Sequence, residues 1–145
     1  MTQFHSTFYS IGKGSELNAS VFKEYFVNYQ PEIWNEDGGG SLQYFGEDKV
    51  ETTLLFIHNP NLGILLSYNQ YDNAKNKTIC DFYSVGIREK IELIEDIGDD
   101  EFYPIGSFLN PQQAWLAVED FFADPAQKSE RIEWISSDKI QWPEP

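Results

Sequence analysis

Residues 52–70 read TTLLFIHNPNLGILLSYNQ and contain the pattern that decides the fold. Two β-rich runs, 52–58 and 63–70, flank the short segment Asn59-Pro60-Asn61-Leu62. β-Branched and aromatic residues favour strands, and Asn and Pro together favour a turn. A loop this short connects antiparallel strands. The stretch therefore predicts a β-hairpin in the middle of the chain.

Further strand patterns lie on both sides of this hairpin. They are weaker, but each shows partial alternation or a cluster of β-favouring side chains. The predicted strands are residues 2–11, a short strand containing Leu42, Tyr44 and Phe45, residues 78–85, and residues 131–135 with Ile132 and Trp134.

Three other segments are expected to connect these strands. Residues 35–40 contain three glycines and predict a flexible turn, and the polar residues 71–77 predict a loop. Residues 87–97 fit a helical face as well as a strand, and we favour the strand.

Two segments have the three- and four-residue spacing of amphipathic helices. The first covers residues 16–29, and Pro31 is expected to end it. The second covers residues 111–123. Asn110 can cap this helix, and Gln113 stands three residues later, as in a capping box.

Together these elements predict an α+β fold with an antiparallel sheet of about five to six strands and two helices packed on it. We expect a single domain over residues 1–145, because this length leaves no room for two full cores. Residues 136–145 are expected to form an irregular tail. Trp34 fits either a wedge between helix and sheet or an exposed position. The periodic apolar face predicts core positions for Trp115, Phe121, Phe122 and Trp134.

The charge of the chain restricts the kind of partner it can bind. Asp and Glu total 24 against 10 Lys and Arg, which gives a formal net charge of −14. Such a field repels nucleic acid and anionic lipid and attracts basic proteins. We therefore expect neither nucleic acid nor a membrane as partner, and we expect a basic protein.

The sequence offers few groups for catalysis or metal binding. His5 and His58 are the only histidines, and neither belongs to a ligand motif. His58 is expected at the surface, at the end of the hairpin. Cys80 lies in a strand pattern, where cysteine usually packs as a small hydrophobe. We therefore expect no enzymatic activity, no metal site and no cofactor.

Cellular location follows from cysteine usage and from the N-terminus. A single cysteine cannot form an internal disulfide, which is typical of reducing compartments. Residues 1–5 lack the basic and apolar regions of a signal peptide. We expect a soluble, cytoplasmic protein.

The run Asp99-Asp100-Glu101 has several possible roles. Paired carboxylates can serve acid–base hydrolysis, but the sequence supplies no partner base. The run lacks the alternating acids and central glycine of a calcium loop. A solvated acidic loop and an acidic protein-binding patch remain equally open.

The C-terminal third resembles a known family. Phe108-Leu109-Asn110-Pro111-Gln112-Gln113-Ala114, Ala117-Val118-Glu119-Asp120-Phe121-Phe122 and Arg131-Ile132-Glu133-Trp134 are similar to the first-described immunity-protein family of bacterial polymorphic toxin systems. The hairpin is similar to that family's central strands. One difference is that Ser129-Glu130-Arg131 stands where members often have a proline. The resemblance implies an α+β domain without enzymatic activity that tightly inhibits a cognate toxin, often a deaminase-fold toxin acting on nucleic acid.

Two groups of residues are candidates for contact with such a toxin. An acidic surface could occlude the toxin's basic substrate groove, and neighbouring aromatic side chains could supply affinity. Tyr71 fits the core as well as it fits this role. The first group is Glu95, Asp96, Asp99, Asp100, Glu101 and Tyr103, with Phe102 beside them, and the second is Tyr68, Tyr71 and Asp72.

The expected function is therefore an immunity protein that forms a one-to-one complex with a basic toxin, with this chain as a monomer. Two alternatives remain: a small acidic hydrolase that uses a carboxylate cluster, and a non-catalytic adaptor or chaperone-like protein with several partners.

Overall fold

The computed structural model describes residues 4–6, 19–37, 39–46, 48–98 and 101–143. Short 3-10 turns cover Arg88–Lys90, Ile105–Ser107 and Ser137–Lys139. The remaining elements are β1 (Phe4–Ser6), α1 (Ala19–Val27), α2 (Pro31–Asp37), β2 (Gly39–Phe45), β3 (Val50–Asn59), β4 (Gly63–Asp72), β5 (Lys77–Val85), β6 (Ile94–Asp96), β7 (Phe102–Pro104), β8 (Phe108–Leu109), α3 (Pro111–Ala123) and β9 (Glu133–Ser136).

An antiparallel sheet forms the centre of the molecule, in the order β1-β2-β3-β4-β5-β9, and β8 pairs with the start of β4. The predicted hairpin is confirmed as β3 and β4, and its strands are longer than expected. Leu54 pairs with Leu42 on one side and with Tyr68 on the other. Side chains alternate between the two faces of a strand, so Leu54 and Phe56 point to the same face.

Helices cover this face of the sheet, which confirms the predicted α+β class. Phe22 and Phe26 of α1 and Phe121 of α3 are all at most 2% exposed and lie in the core with Phe56. Trp34 of α2 is fully buried; its ring centroid lies 5.1 Å from that of Phe26 and 6.4 Å from that of Phe56. It is therefore a wedge between helix and sheet, held by a hydrogen bond from its Nε1 to the Tyr25 carbonyl oxygen at 3.1 Å.

The helix α3 has the predicted bounds and the predicted cap. Asn110 Oδ1 accepts a hydrogen bond from Gln113 N at 2.8 Å, and Asn110 N donates to Gln113 Oε1 at 3.3 Å. This is the reciprocal capping box, which satisfies two backbone donors at the helix start. The four predicted core residues Trp115, Phe121, Phe122 and Trp134 all belong to the core or pack against it.

The prediction of a flexible turn over residues 35–40 is wrong. Residues 31–37 form α2, and Gly39 begins β2. Pro31 lies after the end of α1, as expected, but it also begins α2. Proline is favoured in the first turn of a helix, where a backbone N–H has no partner within the helix. Gly39 has φ +119°, and a Cβ there would lie 2.2 Å from the Phe56 oxygen, so this glycine allows close strand pairing.

Residues 87–97 form neither one helix nor one strand. They contain the 3-10 turn at Arg88–Lys90 and the short strand β6. β6 pairs with β7, which was not predicted, in a separate two-stranded sheet. The favoured strand is therefore confined to residues 94–96, and the alternative of an α-helix is wrong.

The ends of several other predictions need correction. The loop predicted over residues 71–77 is confined to residues 73–76, and the last strand begins two residues later than expected. Of the predicted strand 2–11, the described part is the strand β1; residues 2–3 and 7–11, like residues 16–18 of the first predicted helix, lie outside the described residues. The tail contains the 3-10 turn Ser137–Lys139 and the buried Ile140, so it packs on the domain.

His58 was predicted at the surface, and this prediction is wrong. The residue lies in β3 and is 9% exposed. Its Nε2 is 2.5 Å from the Tyr29 hydroxyl, and its ring centroid is 5.5 Å from that of Trp34. Burial lowers the pKa of His58, and burial followed by the Glu32 charge raises the pKa of Tyr29. At neutral pH the imidazole is therefore uncharged and shares a hydrogen bond with the Tyr29 hydroxyl.

This geometry predicts a loss of stability in mild acid. The unfolded chain binds a proton at the ordinary His58 pKa of 6.5, while the folded chain resists protonation. The free energy of unfolding should therefore fall as the pH drops below about 6.5. Urea unfolding between about pH 7.5 and pH 5.5 should show this loss in the wild type and a smaller loss in H58Q.

The matched control is H5Q, which removes the histidine of β1 and should keep the wild-type pH dependence. Equal pH dependence in the wild type and H58Q would contradict the neutral, buried imidazole.

Candidate protein-binding surface

Most of the first group of predicted contact residues lies in one hairpin. In β6 and β7, Glu95 is paired with Tyr103 and Asp96 with Phe102. The turn is closed by a hydrogen bond from Ile97 N to the Glu101 oxygen at 2.9 Å. The hairpin therefore brings Glu95, Asp96, Glu101 and Tyr103 together, as expected. Asp99 and Asp100 lie outside the described residues.

The hairpin belongs to a longer segment, residues 87–105, which we call the acidic lobe. By sequence it holds seven acids against two basic residues. The acids in its described part are Glu89, Glu92, Glu95, Asp96 and Glu101. One of its two bases, Arg88, forms an ion pair with Glu133 of β9.

Two backbone hydrogen bonds, which we call the neck, join the acidic lobe to the sheet. The amides of Gly86 and Ile87 both donate to the Gly106 oxygen, at 2.7 and 2.9 Å. A Cβ on Gly106 would lie 2.2 Å from the Ile87 oxygen and 2.7 Å from Ile91 N. Ile91 is 7% exposed, so its side chain is a buried part of the lobe. The position of the lobe therefore depends on a glycine at residue 106.

Tyr103 connects the acidic lobe to β5 through a ring contact. Its ring lies 6.4 Å from that of Tyr83, which in turn lies 5.2 Å from that of Trp142 in the tail. Burial, followed by the Glu101 charge, raises the pKa of Tyr103, and burial, followed by the Asp81 charge, raises the pKa of Tyr83 to about 12. Both phenols therefore stay neutral at physiological pH. Tyr103 is half-buried and packs on Tyr83 of this chain.

The acidic lobe also exposes an unusual amount of apolar surface. Five large hydrophobic residues are exposed in the described part of the chain, and three of them belong to this lobe. They are Ile87, Leu93 and Phe102, at 46%, 51% and 43% exposure. Single exposed apolar residues are common, so it is the concentration of three of the five within one acidic segment that distinguishes this part of the chain.

Sequence reasoning missed Ile87 and Leu93 as surface residues. In the sequence they look like the periodic apolar positions of an ordinary element. Only their exposure in the folded lobe distinguishes them from core residues, so no local signal identified them.

The second group of predicted contact residues has a different character. Tyr68 is 3% exposed, so its assignment to an exposed patch was wrong. Its side chain lies on the core face of β4, and its hydroxyl donates to the Pro125 oxygen at 2.9 Å. Burial, followed by the Cys80 and Asp124 charges, raises the Tyr68 pKa.

Tyr71 and Asp72 stabilise the turn between β4 and β5. The Tyr71 hydroxyl donates to Asn76 Oδ1. Asp72 Oδ1 accepts from the amides of Ala74 and Lys75, at 2.9 and 3.1 Å. These contacts give both residues a structural role at the end of the hairpin.

The structure does not bring the two groups together. The acidic lobe lies beside the β3–β4 turn, at the start of β4. Tyr71 and Asp72 lie at the opposite end of β4. A strand rises about 3.3 Å per residue, so the ten residues of β4 separate the groups by roughly 30 Å. The two groups therefore do not form one compact surface, and we restrict the candidate surface to the acidic lobe.

Several residues of the C-terminal segments that resemble the immunity-protein family have a structural role. Asp120 Oδ2 accepts from Ser129 Oγ at 2.5 Å and from Arg131 Nε at 3.0 Å. The Arg131 guanidinium also contacts Glu119 Oε1 at 2.8 Å, and the hydrogen bonds from Arg131 lower the pKa of Asp120. Trp134 Nε1 donates to the Ser129 oxygen at 2.8 Å. These residues fasten the link between α3 and β9.

The described residues contain no cluster of three or more His, Cys, Asp or Glu side chains suited to a metal ion. Their helices include none that is both long and apolar enough to cross a membrane. Cys80 lies in β5, as predicted, and burial raises the pKa of its thiol.

No protein-family model matches the chain, and neither a curated protein nor a solved structure is significantly similar to it. The resemblance to the immunity-protein family therefore stays a prediction.

The neck gives a stability prediction. G106A should lower the free energy of unfolding by about 1–3 kcal/mol, because the added methyl group must displace backbone atoms in a packed site. Chemical denaturation measures the loss, and hydrogen exchange should show faster exchange of the amides of the acidic lobe.

The neighbouring variant S107A is the control. Ser107 Oγ is buried and has no hydrogen-bond partner among the described residues, so its removal should leave stability unchanged or raise it. A G106A protein as stable as the wild type would contradict the account of the neck.

Proposed function

We propose that this chain is an immunity protein that binds a basic toxin domain through the acidic lobe and occludes that toxin's active site. The observation that carries the proposal is the exposure of Ile87, Leu93 and Phe102 within the acidic lobe, whose described part carries five acids. The proposed target is a toxin that acts on nucleic acid, such as a deaminase or nuclease.

In such a complex, charge governs the rate of association, and apolar surface supplies affinity. A toxin that acts on nucleic acid carries a basic substrate groove, and the acids of the lobe attract that groove over a distance. Desolvation of exposed apolar side chains then supplies much of the affinity. Phe102 suits this role, because it is paired with Asp96 in the hairpin and is 43% exposed.

The remaining parts of the proposal follow from the same reasoning. The chain neutralises the toxin by occupying its groove in a one-to-one complex, so it needs neither a catalytic residue nor a cofactor of its own. It acts in the cytoplasm, where a toxin directed at nucleic acid reaches its substrate.

Neutralising charges on the acidic lobe should slow binding. The partner for this test is the C-terminal domain of the toxin that the proposal expects to be encoded beside this chain's gene. For E95Q/E101Q we expect the association rate to fall about two- to tenfold at low salt, and the difference from wild type to shrink as salt screens the charges. Stopped-flow or surface-based binding kinetics give the rate.

The matched control is E24Q/E130Q, which removes the same charge from two exposed residues outside the acidic lobe. If the control slows association as much as E95Q/E101Q, the effect comes from net charge and not from the lobe. If the neighbouring gene's product kills a bacterial host equally well with and without this chain, the proposed function is wrong.

Removing the exposed aromatic ring should weaken the complex without changing its electrostatics. We expect F102A to lower the affinity for the same toxin domain by at least about tenfold, mainly through faster dissociation. Isothermal titration calorimetry together with dissociation kinetics measures this effect.

I79A is the control for F102A, because Ile79 is 49% exposed but lies in β5, outside the acidic lobe. Its affinity should stay within about twofold of wild type. Equal losses for the two variants would argue against a binding role specific to Phe102.

A further inference from the structure

A groove separates the acidic lobe from the β3–β4 turn. One wall is the turn, held by hydrogen bonds from the amides of Asn61 and Leu62 to Asn59 Oδ1 at 2.8 and 3.1 Å. The opposite wall is the β6–β7 hairpin. The groove is lined by Asn59, Asn61, Leu62, Glu95, Asp96, Ile97 and Ile105.

The groove combines apolar side chains with negative charge. Leu62, Ile97 and Ile105 are all partly buried, which leaves part of each side chain open to the groove. Two carboxyl groups, those of Glu95 and Asp96, belong to the same lining, and none of the described lining residues is basic. A neutral apolar ligand would leave these charges uncompensated.

The carboxylates retain most of their capacity to accept hydrogen bonds. Asp96 Oδ1 accepts from Gly98 N at 2.7 Å, which leaves its second oxygen for another donor. Within the described parts of the chain, the Glu95 carboxylate makes neither a hydrogen bond nor an ion pair. Both acids are exposed, so an incoming cation can reach them.

An arginine side chain matches this combination of surfaces. Its methylene stem can pack on apolar side chains while its charged end remains at the rim. Its planar guanidinium carries five N–H donors and is more weakly hydrated than an ammonium group, so it loses less on entering a partly apolar groove. Arginine is also enriched among the residues that dominate protein interfaces.

We propose that this groove receives an arginine side chain of the basic partner, with the guanidinium beside Glu95 and Asp96 and the stem against Leu62, Ile97 and Ile105. The inference rests on the proposed function, since it assumes a basic protein partner. It goes further by assigning one subsite and the chemistry of the side chain that enters it.

The experiment uses the full chain with methyl-labelled Ile and Leu and follows its methyl resonances by NMR. The probes are N-acetyl-L-arginine amide and N-acetyl-L-citrulline amide, which have nearly the same shape but differ in charge. We expect the arginine probe to shift the Leu62, Ile97 and Ile105 methyl resonances in a saturable way, and the citrulline probe to shift them far less.

Charge variants show whether the acids of the groove cause the binding. E95Q should weaken binding of the arginine probe about two- to fivefold, as expected for one exposed ion pair. E24Q removes the same charge at a different groove, between α1 and α2, and should leave the affinity unchanged. Retained backbone spectra of both variants show that the fold is intact.

Three results would overturn the inference: no saturable shifts at these methyl groups, equal shifts with the citrulline probe, or equal weakening by E24Q. Each would leave the proposed function standing if E95Q/E101Q still slowed association with the toxin domain. Failure of the proposed function is detected separately, by the absence of protection in the bacterial host.

Discussion

The register between β3 and β4 is the constraint on which the rest of the structure depends. Ten residue pairs run from Val50 with Asp72 to Asn59 with Gly63. This register puts Leu54, Phe56 and His58 under the helices, and a shift by one residue would turn them to the other face. Gly63 has φ +114° and allows the Leu109 backbone to approach, so β8 and the start of α3 are positioned from the same hairpin.

Most of the acids in the described part of the chain are exposed to water. Four are partly buried, and two of these, Asp120 and Asp81, are compensated by nearby donors. Asp120 is held by Arg131 and Ser129, which lower its pKa. Asp81 is half-buried; burial raises its pKa, while hydrogen bonds from Asn69, Ser137 and Ser67 partly oppose this shift. The acidic lobe, by contrast, exposes both its carboxylates and its apolar side chains, which is consistent with a surface that is covered in a complex.

The sequence predicted those helices and turns that are determined by residues close together in the chain. The capping residues and helical spacing of α3 and the turn of the central hairpin lie within a few residues of the structure they specify. The burial of His58 was also encoded, because it is in phase with the buried Leu54 and Phe56 along β3. Tyr68 lies in β4, where residues 64–68 are all buried, so alternation gave no signal for it.

The elements that were missed depend on distant contacts. α2 has only seven residues, and its burial depends on Trp34 packing against Phe56 of β3. The acidic lobe depends on the pairing of Gly86 with Gly106, twenty residues apart in the chain. The acids of the candidate surface were visible in the sequence, but the exposure of Ile87 and Leu93 and the groove beside Leu62 follow from that long-range pairing.

The central claim is that the acidic lobe is the surface that docks on a basic toxin. Hydrogen exchange of the chain, free and in complex with the toxin domain encoded beside its gene, tests this claim most directly. The account predicts that binding slows exchange in the described amides of residues 87–105 and in the β3–β4 turn. Protection confined to other parts of the chain, with unchanged exchange throughout the lobe, would contradict it.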